Sequence, residues 1–305
     1  ANVIGVILGN GWFDASPQMI LQLNIEFVDG SIQSIVSDRD WVVATNGPIV
    51  ENSIYNGETY DARLEKPGWD MPGYEVKLDE WSPPIIAEPP GGIMVSQLVE
   101  PIKVVQDITP ISVNSPRPGI YVYDLGQNIS GWAKLKVSGP AGTKVVMRFA
   151  ELIYEDGTVN PENLRTATAT DTYILKGEGV EVYEPRFTYH GFRYIQVEGF
   201  PGEPSLDSIT GRVVRSSVEQ TGKFRCSNEL INKIQQNAFW TEANNLHSIP
   251  TDCPQRDERL GWLNDMTVRA EAAVYNFHLA RLYSKWVNDI SDAQGSKTGA
   301  ITDTA

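Results

Sequence analysis

The chain is poor in the residues that build metal centres and disulfide scaffolds. Its 305 residues include two cysteines, Cys226 and Cys253, and three histidines, His190, His247 and His278. A disulfide-stapled secreted module would carry more cysteine, so a Cys226–Cys253 bridge is not expected and Cys253 reads as a small buried residue. The scattered histidines show no metal-ligand spacing, and no loop of alternating Asp and Asn suggests calcium. The expectation is a protein without metal or cofactor. Cations are also in short supply: 25 Lys and Arg stand against 39 Asp and Glu, a net charge of −14. Such a surface repels a phosphate backbone, which argues against nucleic acid as a partner. It suits neutral glycans, although solubility alone accounts for most of these charges. No run of about 18 apolar residues occurs, so no membrane span is expected. Repeats and low-complexity tracts are missing too. The first 13 residues show no basic n-region and no cleavage pattern. They resemble the middle of a strand region, and residues 295–305 stop without a closing element. A piece of a longer protein is expected, with compartment and oligomeric state left open.

What is present is ordinary globular material, 41% hydrophobic, with length for two or three domains. Leu21, Leu23, Ile25 and Phe27 alternate with polar residues, which predicts a half-buried strand. Asp29-Gly30 signals a hairpin returning along Ile32 to Val36, and Trp41 to Val43 is another short candidate. Pro83-Pro84 and Pro89-Pro90-Gly91-Gly92 then interrupt regular structure and set a boundary. A second β region follows: Ala133, Leu135 and Val137 alternate, 139–142 turn, and Ile195 and Val197 alternate again. Residues 160–171 read as a polar surface loop. From Ser227, a candidate N-cap, the period becomes helical through Leu230, Ile231, Ile234 and Ala238. A second helical stripe (Val268, Ala272, Tyr275, Leu279, Leu282) runs from about Asn264 to about Ile290. The division predicted is 1–92, a first β-sandwich with a Pro-rich linker; 93–217, a second sandwich; and 218–305, helical.

Between the helices lies the richest stretch, Thr251 to Asp265, with four carboxylates, two arginines and a tryptophan. A carboxyl that donates a proton near neutral pH needs apolar or like-charged neighbours. A sugar needs carboxylate and guanidinium hydrogen bonds and an aromatic face. These parts suggest carbohydrate chemistry, but an ion-pair network tying a loop to a helix fits the same residues about as well.

The run Thr251 to Asp265 resembles the signature of bacterial α-L-rhamnosidases, glycoside hydrolase family 78. Val122 to Glu151, Asp171 to Gly179 and Tyr183 to Phe200 resemble the sandwich preceding the catalytic barrel in that family. Leu8 to Phe13 and Ile54 to Asp70 resemble its N-terminal sandwich. The resemblance implies two β-sandwich domains followed by the first helices of an (α/α)6 barrel. It implies an inverting hydrolase releasing terminal α-L-rhamnose from rhamnosylated glycosides or polysaccharides. Glu258 would be the general acid, and Asp252 and Asp257 would help to keep it protonated. Asp252, Arg256, Asp257, Trp262 and Asp265 would line the rhamnose pocket. Read by their residue types alone, Arg259 is a structural ion-pair partner, Trp262 fits barrel core about as well as a pocket wall, and Asp265 fits the N-cap of the next helix. The family's base is a Glu in the second half of the barrel with no match in this chain, so the chain alone is expected to be inactive.

Two alternatives stay open: a lyase of the same fold acting on rhamnose linked to a uronic acid, and a non-catalytic carbohydrate-binding module. Asp124, Gln127, Asn128 and Trp132 are residue types that contact glycans, yet Gly126 and Gly131 beside them favour tight turns. His190 reads as a structural histidine.

Overall fold

The computed structural model describes residues 2–11, 17–89 and 91–305. Trp12 and Phe13 of the Leu8 to Phe13 stretch, and Pro90 of the Pro-rich break, lie outside the described residues. In chain order the strands are β1 (Gln22–Glu26), β2 (Ile32–Val36), β3 (Ile49–Ser53), β4 (Gly57–Asp61), β5 (Ile102–Ile108), β6 (Ser112–Arg117) and β7 (Ile120–Ser138). They continue with β8 (Lys144–Ala150), β9 (Leu152–Ile153), β10 (Val159–Asn160), β11 (Thr170–Ile174), β12 (Val180–Tyr183), β13 (His190–Glu198) and β14 (Ile209–Ser216). The helices are α1 (Glu229–Ala243), α2 (Leu263–Asn276) and α3 (Ala280–Ala293).

The expected hairpin of β1 and β2 forms, with Gln22 opposite Val36. Asp29 accepts from the Ser31 amide at its turn, and Gly30 takes φ +81°. Alternation did not translate into burial: Leu23 is 41% exposed and Phe27 47%. Trp41 to Val43 contributes only a bridge from Val43 to Ser82.

One large sheet dominates, ordered β3-β4-β11-β8-β13-β7-β14-β5, with β6 and β12 also paired to β7. Among its described residues the expected break at 83–92 carries no strand, and strands from both sides of it share the large sheet. β3 and β4, upstream of the prolines, join it through a parallel β4–β11 pairing. Gly57 permits that junction. Its φ is +105°, and a Cβ there would lie 2.1 Å from the Thr170 carbonyl oxygen. The sheet curls around β7, whose first part pairs with β6 and β13 and whose last part pairs with β12 and β14. The segment around Gly126 and Gly131 is therefore one 19-residue strand and not a string of tight turns. Its register against β13 slips between the Ile129 and Asp124 pairings, around Gly126 at φ +71°, and at Gly131 a Cβ would strike the Arg212 carbonyl oxygen at 1.8 Å. Inside the curl, Leu135, Val145, Met147, Ile195 and Val197 are fully buried.

The helices pack on a second apolar cluster that includes Val99, Val218, Leu246, Met266, Phe277 and Trp286. Asn228, not Ser227, caps α1, accepting from the amides of Leu230 and Ile231. The predicted second helix is two helices. Residues 277–279 leave the helical path because Phe277 pairs with Gln220 and the His278 amide donates to the Glu219 carbonyl. That break re-aims the apolar stripe. Val268 and Tyr275 are 82% and 68% exposed, whereas Met266, Ala273, Leu282 and Trp286 are buried. On α1 the stripe is exposed as well, Leu230 at 69% and Ile234 at 58%. Three helices follow the β region, and no helix among the described residues is long and apolar enough to cross a membrane.

Candidate active site

The segment from Thr251 to Trp262 is a loop lodged between the C-terminal end of α1, the start of α2 and the β region. Asn244, just past α1, holds β7 like an adjacent strand: its side chain accepts from the Ser130 amide and donates to the Asn128 carbonyl. The chain then returns, and the Thr251 amide donates to the Asn245 carbonyl. Asp252 closes the loop twice, with its amide on the Leu260 carbonyl (3.0 Å) and its carboxyl accepting from the Leu260 amide (2.8 Å).

Arg259 fastens this loop to the sheet. It is 1% exposed and sits at φ +57°. Its guanidinium donates to the carbonyls of Ile54 (2.7 Å) and Tyr189 (2.6 Å), and to those of Arg256 and Gln255. It lies over the rings of Tyr189 (4.6 Å) and Tyr55 (5.3 Å). The structural role expected for Arg259 holds, but the partners differ: carbonyl groups and tyrosine faces, not a carboxylate. A planar guanidinium satisfies several carbonyls at once, which an ion pair would not. Burial lowers its affinity for its proton from the usual arginine range. Tyr55 completes the seam, its hydroxyl donating to the Glu258 carbonyl at 2.8 Å.

Glu258 is thereby presented with its carboxyl mostly buried, 17% exposed. Oε1 accepts from the Trp262 indole at 3.0 Å. Oε2 accepts from Arg256 Nε (3.0 Å) and pairs with Arg256 Nη2 (2.9 Å) and Arg165 Nη1 (3.1 Å). Arg256 also reaches Asp252 Oδ2 at 3.5 Å. The structure thus brings together Asp252, Arg256, Glu258 and Trp262. The environment of Glu258 differs from the expected one: the groups bonded to it are two cations and an indole. Asp257 points to Thr166, whose hydroxyl donates to it and holds its carboxyl below the usual range. Asp265 stands exposed in the first turn of α2, outside this cluster.

Asp252, Cys253 and Glu258 place one potential ligand atom each within 4.8 Å of one another. They make a poor cation cradle. Two guanidiniums already neutralise Glu258, and burial with the Asp252 hydrogen bond pushes the Cys253 thiol up to about 11, so it keeps its proton. Both cysteines are free. Glu242 is buried against Arg269, and Glu271 is exposed and bonded to Tyr275, so neither joins the Glu258 cluster. An open cavity of about 490 Å³ is lined by Asn52, Asn56, Thr59 and Thr168, with no residue from the motif.

Other residues singled out in the sequence are structural. Asp124 forms a two-point pair with Arg193, Trp132 donates to Glu184 and Asn128 donates to Glu151. His190 is fully buried, stacked on Phe149 and bonded to Asp171. Sequence reasoning missed Arg165, Thr166 and Tyr55. The first two sit in the stretch read as a polar surface loop, and only one signal marked it: a cation inside a run of small hydroxyl residues.

The profile of the α-L-rhamnosidase N-terminal domain matches residues 1–106. That of the bacterial α-L-rhamnosidase concanavalin-like domain matches 114–215, and that of the six-hairpin glycosidase domain 219–305. A curated α-L-rhamnosidase of Streptomyces avermitilis is 43% identical over 317 residues, which is 100% of this chain and 30% of that protein. A solved α-L-rhamnosidase of Dictyoglumus thermophilum is 51% identical with a TM-score of 0.91, covering 96% of this chain and 33% of the other. The Streptomyces avermitilis enzyme solved in complex with L-rhamnose is 44% identical with a TM-score of 0.91, covering 100% and 29%. The chain spans about a third of the length of the curated relatives it matches.

Proposed function

We propose, from the premise that this chain belongs to the bacterial α-L-rhamnosidase family, that it carries the acid half of a glycosidase site releasing terminal α-L-rhamnose. The observation that carries the reading is the Glu258 carboxyl, mostly buried and oriented by Trp262, Arg256 and Arg165. Glycosidases place one carboxyl on each side of the scissile bond, and a carboxyl with a fixed direction suits proton delivery to the departing oxygen.

In this reading Glu258 is the general acid of an inverting reaction. The acid must hold a proton when the glycoside is bound, and Arg256 has an alternative partner at that moment. Its Nη2 already lies 3.5 Å from Asp252 Oδ2, an oxygen without a hydrogen bond of its own. Protonation of Glu258 would let Arg256 turn fully to Asp252, and re-ionisation would draw it back. Asp252 and Arg256 would hold sugar hydroxyls, and Trp262 would offer a ring edge to the 6-methyl group. Asp257 would join them once Thr166 gives way, and Asp265 would contribute from the rim. Helices α1 to α3 would be the first of an (α/α)6 barrel, with the base on a later helix. The division 1–92, 93–217 and 218–305 would be the domain plan, the first two interlocked through β3 and β4. The partner would be a rhamnosylated glycan or glycoside.

The test is rhamnose release from an aryl α-L-rhamnoside by a polypeptide of the relatives' full length that carries this chain. Release of L-rhamnose supports the reading. Turnover only of another pyranoside, or products absorbing as unsaturated uronates, would replace it with another glycosidase or with a lyase.

A further inference from the structure

We infer that Arg165, delivered by the β region, is a positioning residue for Glu258, so that the sheet supplies part of the machinery around the motif. The inference rests on the reading of Glu258 as the acid. Arg165 belongs to the connection between β10 and β11, far from the motif in sequence, and its Nη1 lies 3.1 Å from Glu258 Oε2.

The connection is built to hold that arginine still. Leu164, Ala167 and Ala169 plug into the core at 1%, 6% and 1% exposure. The amides of Ala169 and Thr170 donate to the carbonyls of Tyr55 and Asn56, and Thr168 is bonded to Asn56 twice. Asn163 donates to Glu151. Two non-glycine residues, Arg165 (φ +58°) and Ala169 (φ +40°), occupy left-handed backbone, a conformation that persists only where the surroundings enforce it. Arg165 thus alternates with buried plugs and turns outward, while its neighbour Thr166 donates to Asp257. Two consecutive loop residues engage two consecutive motif residues.

The chemistry follows from what surrounds the Glu258 carboxyl. Its own loop contributes Arg256, with Asp252 and the protonated Cys253 nearby. The start of α2 contributes Trp262, and Tyr55 holds the Glu258 backbone. Asp257 is diverted to Thr166. Arg165 is the charge that the β region adds, and it is half exposed, with 52% of its side chain open. Since Arg256 has Asp252 as a second partner, Arg165 is the cation that stays with Oε2 when Arg256 swings away. It fixes the carboxyl's direction against Trp262 and favours return of the ionised form after proton donation.

The experiment reads Glu258 through its own hydrogen bond. With 15N-labelled tryptophan, the Trp262 indole N–H, identified by its loss in Trp262→Phe, follows the ionisation of Glu258 across a pH titration. The other seven tryptophans report whether the fold is intact. Removing a cation from a carboxylate favours the protonated form. Arg165→Ala should therefore raise the titration midpoint by about one unit, and Arg165→Lys should return most of that shift. An unmoved midpoint in Arg165→Ala overturns the inference. So does an equal shift in Arg165→Lys, or movement of all eight indole resonances, which would mark Arg165 as fold-supporting only. In a rhamnosidase-length polypeptide, Arg165→Ala should move the alkaline limb of kcat/KM upward by the same amount and act on kcat more than on KM. A shifted indole midpoint without rhamnose release would keep Arg165 in its role and dismiss the acid reading of Glu258.

Discussion

Replacing Arg259 with alanine should cut the seam between the motif and the sheet. Its guanidinium makes two short hydrogen bonds, to the carbonyls of Ile54 and Tyr189, and longer ones to Arg256 and Gln255. A hydrogen bond from a charged donor contributes roughly 1.5–3 kcal/mol, and a desolvated cation over an aromatic face about 2 kcal/mol. Against this, alanine removes a buried charge whose desolvation costs several kcal/mol, so the sum is well below the gross total. The two short bonds and the Tyr189 face leave a net loss of about 3–5 kcal/mol. For a chain of this size that is a fall in Tm of roughly 6–12 °C. Arg259→Lys keeps the charge and loses the planar fork, so it should recover less than half. The assay is a thermal melt followed by near-ultraviolet circular dichroism, with limited proteolysis across 252–260 as a local readout. A melt within about 2 °C of the parent, with the loop still protected, would refute the reasoning, because it would mean those carbonyls find other donors.

Further expectations follow from the same geometry. Glu58 is 1% exposed, and burial pushes its carboxyl up to about 7 from 4.5. The folded state therefore holds a proton that the unfolded state releases above about 4.5. Stability from this group is complete below that pH and is lost as pH rises through about 7, roughly 3 kcal/mol in total. The urea midpoint of the parent minus that of Glu58→Gln should fall between pH 5 and pH 8, and a flat difference would exclude this origin. His247 is buried against Tyr189 and faces the Val214 backbone without a well-formed hydrogen bond at either ring nitrogen. Burial lowers its pKa to about 3, so the unfolded state takes up a proton first and stability drops as pH falls from about 6.5. His247→Phe should stabilise by about 1–2 kcal/mol at pH 7 and by more at pH 5, measured by urea unfolding; destabilisation would show that a nitrogen is bonded. Residues 1–305 expressed alone should release no rhamnose above a trace. The carboxylates nearest the motif on the flanking helices, Glu242 and Glu271, are engaged elsewhere. Measurable turnover would place a base inside this chain.

The motif was legible because its spacing is local. Asp252, Arg256, Glu258 and Trp262 lie within eleven residues, and a closed loop brings them to one place. The alternation of Ala133, Leu135 and Val137 marked the sheet's core for the same reason, since side-chain period is a property of neighbours. What escaped depends on docking between distant segments. Arg165 meets Glu258 only because plugged residues on either side of it fix a loop over the motif. The helix break at 277–279 follows from pairing with 219–222, which no periodicity in α2 and α3 announces. β3 and β4 join the large sheet by a parallel pairing across more than a hundred residues, past a proline-rich stretch that locally reads as a boundary. Arg259 looked like one charge in a charged run; its carbonyl and tyrosine partners come from Ile54, Tyr55 and Tyr189.

The central claim is that Glu258 delivers the proton to the departing sugar oxygen. The most direct test compares Glu258→Gln with the parent on two α-L-rhamnosides, one with an activated aryl leaving group and one with a basic alkyl or sugar leaving group. The polypeptide used should have the relatives' full length. General-acid assistance contributes about 10²–10⁴-fold, and it matters most where the leaving oxygen is basic. A loss of that order in kcat is expected on the basic leaving group and a much smaller loss on the activated one. An equal loss on both substrates, with the fold intact by circular dichroism, would contradict it and make Glu258 a binding or structural residue.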